Sequence, residues 1–90
     1  MQIVRWTDEA LADLEEIVAY ISDRNTFAAL RLQEMMQRTA EHLPAHPYMY
    51  RPRRIPGTRE AVVHPNYLLV NAVGEGIEIL AVLHARQQYP

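Results

Sequence analysis

Four prolines between positions 44 and 57 (Pro44, Pro47, Pro52 and Pro56) split the chain into two halves whose apolar residues follow different periods. Proline fixes φ and removes a backbone donor, so neither a helix interior nor an inner strand runs through that stretch. Ahead of it, apolar residues recur every three to four positions. Behind it, they fall in short dense runs between turn residues. A chain patterned this way builds helices first and strands afterwards, which points to an α+β layer rather than an alternating α/β sheet.

In the first half, residues 2–6 (Gln-Ile-Val-Arg-Trp) are β-prone and alternate, which predicts a short N-terminal strand. Thr7 then punctuates. It suits an N-cap, and Asp8 and Glu9 follow where negative charge favours the positive end of a helix dipole. Leu11, Leu14, Ile17, Val18 and Ile21 recur at helical spacing, so a first helix is expected over 8–23. The polar break Asp23-Arg24-Asn25-Thr26 supplies a second cap at Asn25 or Thr26. From Phe27 a second helix carries Ala28, Leu32, Met35, Met36, Thr39 and Leu43 on one stripe, with Arg31, Glu34, Arg38 and Glu41 on a wet face. Two helices joined this closely lie antiparallel as a hairpin.

In the second half, 44–57 reads as a loop, and three β-like runs follow at 58–64, 67–73 and 77–85. Pro65-Asn66 and Gly74-Glu75-Gly76 separate them as turns, giving an antiparallel meander. Strict alternation in the last run sets Ile77, Ile79, Ala81 and Leu83 on one face, and Glu78, Leu80, Val82 and His84 on the other. Apolar residues on both faces place that strand inside the sheet. The expected fold is α+β: a short N-terminal strand and an antiparallel helical hairpin packed on a C-terminal antiparallel β-meander, one domain over 1–90. At ninety residues such a domain buries about 60–65% of the surface of its unfolded chain, so a partner can add materially to its stability.

Charge divides along the same line. Residues 1–45 hold four arginines against eight acids, and residues 46–90 hold five arginines against three. There is no lysine and no cysteine, which excludes a disulfide scaffold and thiolate metal sites and fits a reducing compartment, the cytoplasm by default. The amino terminus carries Arg5 and five acids by Glu16, unlike the apolar core of a signal peptide, and no apolar run approaches a membrane span. Phosphate-binding glycine loops, HExxH, GxSxG and CxxC are all missing, and the four histidines fall on separate elements, so no cofactor and no metal are expected.

What remains is the basic C-terminal half. Arg51, Arg53 and Arg54 interleave with Tyr48, Tyr50 and Pro52, and Arg59, His84, Arg86 and Tyr89 lie on or beyond the strands. Arginine with aromatics is the vocabulary of phosphate and base contact, and equally that of a solvated loop with charged strand ends. If Arg59, His84 and Arg86 converge at one edge of the sheet, a histidine or tyrosine proton carrier beside arginine forms a workable set for cutting RNA. A packed His84 and a tail charge at Arg86 fit the same spacing.

Several stretches, taken in order, resemble the RelE/ParE superfamily of toxins from bacterial type II toxin–antitoxin modules. They are Val4-Arg5-Trp6-Thr7 with Ala10-Leu11-Ala12-Asp13-Leu14, then Ile55-Pro56-Gly57-Thr58-Arg59-Glu60, then Tyr67-Leu68-Leu69-Val70, and finally the run from Ile79 to Pro90. The ending Val82-Leu83-His84-Ala85-Arg86 looks more like the ParE branch than the RelE branch. The resemblance implies a growth-arresting toxin neutralised by a cognate antitoxin, acting on DNA gyrase if ParE-like, or on mRNA in the ribosome if RelE-like. A domain that keeps the antitoxin contact and has lost its target is a third alternative. RelE-like sites use a sheet arginine, which Arg59 matches, with proton carriers in the region of His84, Arg86 and Tyr89. Lysine is absent and the arginines before Arg59 stay protonated, a departure that favours ParE-like action. Asn71 stands where the family commonly has an aromatic. Antitoxins of the family wrap an acidic, partly disordered segment around the toxin, and a basic C-terminal half and a hairpin groove are ground for that contact.

Overall fold

The computed structural model describes residues 3–47 and 50–87. Along the chain these form β1 (Val4–Trp6), α1 (Asp8–Ser22), α2 (Thr26–His42), β2 (Arg51–Pro52), β3 (Thr58–His64), β4 (Tyr67–Val73) and β5 (Ile77–His84). The strands make one sheet in the order β1-β5-β4-β3-β2. β3, β4 and β5 are the expected meander, and β5 lies inside the sheet because β1 pairs with its far side in parallel.

Both helices start where their caps dictate. The Thr7 hydroxyl accepts from the Ala10 amide at 3.1 Å, and the Asn25 side-chain oxygen accepts from the Ala28 amide at 3.0 Å. Each satisfies a donor the first turn leaves open. α2 turns slightly from the expected stripe, burying Ala29, Leu32, Met36 and Ala40 while Ala28, Met35 and Thr39 stay half-buried. Leu32, Met36 and Ala40, with Ala10 and Leu14 of α1 and Leu43 just beyond α2, pack on Leu69, Ile77, Ile79 and Val82 of the sheet. Fully burying side chains of this size contributes about 1.5–3 kcal/mol each, so this layer carries most of the fold.

Two expectations about the strands change. The proline-rich stretch is not entirely loop: Arg51 and Pro52 form the short edge strand β2, in register with Glu60 and Arg59 of β3. Proline is tolerated there because an edge strand has one unpaired side. The stretch ends in a turn in which the Ile55 carbonyl accepts from the Thr58 amide at 3.1 Å and Gly57 takes φ of 84°, which Pro56-Gly57 permits as a type II turn.

The second change is in β5. Val70 pairs with Ala81 and Asn71 with Ile79, so Leu80 has no partner in β4 and forms a β-bulge. Strict alternation therefore fails beyond it. Ile77, Ile79, Val82 and His84 face the helices, while Ala81 and Leu83 join Leu68 and Val70 in a second apolar cluster on the opposite face. The bulge is held from two sides. Thr7 donates its hydroxyl to the carbonyls of Ile79 and Leu80 at 2.9 and 3.3 Å, and the Asp13 carboxylate accepts the Val82 amide at 3.1 Å.

Candidate functional site

The strand register decides which of the chemistry-bearing residues meet. Arg59 pairs across Asn71 of β4, which pairs with Ile79, whereas His84 pairs with Tyr67, which pairs with His64. Arg59 and His84 both face the helices, but at opposite ends of the sheet. Tyr67 and Asn71 are four residues apart, so the two groups are separated by about 13 Å along the strands and about 10 Å across them. The convergence of Arg59 with His84 that the spacing left open does not occur. Arg86 lies in the exposed turn after β5, close to His84 and far from Arg59. Tyr89 and Tyr48 fall outside the described residues.

At the Arg59 end most of the charges are paired within the fold, although the Arg51 side chain stays 69% exposed. Arg59 donates to the Tyr50 carbonyl at 2.7 Å. Glu60, on the outer face of β3, takes both Arg51 and Arg53, one guanidinium on each carboxylate oxygen. The side chains of Arg53 and Glu60 are only 14% and 13% exposed, so this bridge is largely desolvated and sets the path of the chain from β2 to β3. The run of arginines that looks unbalanced in sequence has its counterion on the neighbouring strand. Arg54 remains fully at the surface. Beside Arg59, Asn71 is completely buried and neither its amide nitrogen nor its oxygen has a hydrogen-bond partner.

At the other end three rings form a ridge. Tyr67 stands 5.4 Å from His84, edge to face, and 5.8 Å from His64. His84 Nδ1 accepts from the Arg86 amide at 3.2 Å and His64 Nδ1 accepts from the Asn66 amide at 3.0 Å. Each imidazole thus has its orientation fixed by its own turn, and its Nε2 is left to carry the proton.

The ridge divides two clefts under the helical hairpin, each about 330 Å³. Asp13, Glu16, Ile17, Tyr20, Tyr67, Val82, His84 and Gln87 line the first. The second is bounded by Ile21, Ala28, Arg31, Leu32, Met35, His64, Asn66 and Tyr67. Ile17 and Ile21 are one helical turn apart, so the clefts follow one another along α1. The Arg24 guanidinium lies over the Tyr20 ring, 4.0 Å from its centre, and bonds the Tyr20 carbonyl. Among the described residues no three metal-ligating side chains come together, and no helix is long and apolar enough to cross a membrane.

Sequence reasoning passed over Asp13, Glu60, His64 and Tyr67 as site residues. For Asp13 a signal existed: it lies three residues after Ala10 and four before Ile17, on the core side of α1. Glu60 had none, because its partner strand was hidden by Pro52.

Comparison with known proteins gives a consistent result. Residues 4–89 match the model of the family described as ParE toxin of type II toxin–antitoxin system, parDE. A protein of Sinorhizobium fredii named as a candidate toxin, Y4kP, is 39% identical over 88 residues, covering 97% of this chain and 92% of the relative. Among solved structures, the chromosomal ParDE toxin–antitoxin system of P. aeruginosa superposes with a TM-score of 0.80 at 25% identity, over 93% of this chain and 96% of that one. The YoeB dimer of Staphylococcus aureus shares the fold, with a TM-score of 0.67 at 10% identity and 98% of each chain covered.

Proposed function

The chain belongs to the ParE toxin family of type II toxin–antitoxin systems, and from that membership we propose that it arrests growth by inhibiting DNA gyrase and is neutralised by a cognate antitoxin. One observation supports gyrase over message cleavage. The RelE-like pattern sets a sheet arginine beside the proton carriers, and here Arg59 lies at the far end of the sheet from His84 and donates to the Tyr50 carbonyl, which leaves only the exposed Arg86 near the histidine. The arginines nearest Arg59 stay protonated throughout the physiological range and do not act as bases.

On this reading the target contact is made by the end of the molecule that carries His84 and Arg86, with Tyr89 following in the chain. Arg54 is an exposed cation at the opposite end, where Arg51 and Arg53 pair with Glu60 and Arg59 donates to the Tyr50 carbonyl. The ring pair Tyr67–His84 favours a second reading, a ribosome-dependent mRNA endonuclease, because it sets two proton-carrying side chains 5.4 Å apart.

A supercoiling assay with purified gyrase, run beside translation of a defined message, separates the two. Gyrase inhibition or trapped cleaved DNA with the message intact is expected. A cut message with supercoiling untouched overturns the proposal, and inactivity in both assays leaves only a domain that binds antitoxin. Arg86→Ala is expected to lower toxicity on induced expression at least tenfold while antitoxin binding stays within about twofold, since each tenfold change corresponds to about 1.4 kcal/mol of contact.

A further inference from the structure

The two clefts on either side of Tyr67 differ in charge, and together they specify more about the antitoxin than that it binds. The first contains Asp13 and Glu16 with no cation among its lining residues; the second contains Arg31 with no acid. Asp13 is half-buried, and only its Oδ2 is used, in accepting the Val82 amide. Its other oxygen has no partner among the described residues. A carboxylate oxygen that opens into a cleft from a half-buried side chain can accept an incoming cation or N–H group without moving. Glu16 and Arg31 are exposed and form no ion pair among the described residues, so both are available to a partner. Between them the Tyr67 ring, flanked by Ile17 and Ile21, offers an apolar crossing.

We propose that this groove is a dipolar recognition channel for a single segment of the antitoxin. A cationic side chain enters the cleft of Asp13 and Glu16, an apolar side chain crosses Tyr67, and a carboxylate reaches Arg31. An entirely acidic segment satisfies only the Arg31 half and meets repulsion from Asp13 and Glu16. The seated segment also covers His84 and Gln87 in the first cleft, so occupancy and loss of target contact follow from the same event. The inference rests on the toxin–antitoxin reading, and it is tested without gyrase or ribosomes, so its failure is distinct from failure of that reading.

Three synthetic peptides, alike except at two positions, provide the probe. One brackets a Leu-Leu pair with Arg and Glu, one with Glu and Glu, and one with Arg and Arg, which sets the two charges about one helical turn apart. Binding to the full chain is followed by amide chemical shifts, which register millimolar affinity, with circular dichroism as the folding control. The mixed peptide is expected to bind about tenfold tighter than either uniform one, equivalent to about 1.4 kcal/mol for the added charge pair. Glu16→Arg is expected to shift the preference to the Glu–Glu peptide, and Arg31→Glu to the Arg–Arg peptide. Equal binding of all three, an unchanged order in both variants, or no shift changes along the groove with any peptide overturns the proposal.

Discussion

Where β3 begins, Glu60 holds Arg51 and Arg53, and Arg59 reaches back to the Tyr50 carbonyl. Where β3 ends, His64, Tyr67 and His84 are fixed by backbone amides and by one another, but front two open clefts. Both ends are rich in polar and aromatic side chains, yet at the first most of them pair with other groups of the fold, and at the second they line two open clefts. Density of charge along a sequence therefore says little about which end is used. The clustered arginines hold the chain in place, and the surface that remains open is assembled from residues as far apart as Asp13 and His84.

The contrast can be tested where it is strongest. Glu60→Ala leaves two guanidiniums, one mostly buried, without their shared carboxylate, and is expected to cost about 2–3 kcal/mol in urea denaturation. Glu78→Ala removes the Arg5–Glu78 pair, whose side chains are 74% and 41% exposed, and is expected to leave the urea midpoint within the scatter of the measurement. If the two variants behave alike, the Glu60 bridge is not the scaffold described above.

Thr7→Val removes the helix cap together with the bonds to the bulge, with an expected loss of about 1–2 kcal/mol. The amide of Val82, beside the loosened bulge, should then exchange faster with deuterium than the amide of Ala61, whose strand β3 does not pair with β5. The last expected effect is a gain. Asn71→Leu replaces a buried, unpartnered amide with an apolar side chain of similar size and is expected to add about 1 kcal/mol. A loss on thermal melting would mean that Asn71 serves a polar partner at the Arg59 end, making that end more than a brace.

Much of the fold is legible in the sequence because it rests on local chemistry. Thr7 and Asn25 mark both helix starts, Pro65-Asn66 and Gly74-Glu75-Gly76 mark the strand turns, and apolar runs mark β3 to β5. What escapes depends on one residue against many. The period-two rule contains nothing that announces the Leu80 bulge, because the cause lies elsewhere in the chain, in the Thr7 hydroxyl and the Asp13 carboxylate. β2 escapes because proline argues against a strand wherever edge placement is not yet known. The site is less legible than the fold, since Arg59 and His84 are close or distant according to a register that composition does not fix.

The bulge also places a parity constraint on the end of the chain. With Leu80 set aside, His84 faces the clefts and Leu83 the opposite apolar cluster. Deleting one residue between Ile79 and His84 while the bulge persists would exchange those sides, sending an imidazole into the apolar cluster and a leucine into the groove, whereas the same deletion with the bulge lost restores plain alternation and leaves both sides as they are. A relative shorter by a single residue here therefore keeps the partner of Tyr67 only by dispensing with the bulge, and with it the need for Thr7 and Asp13 to hold the strand.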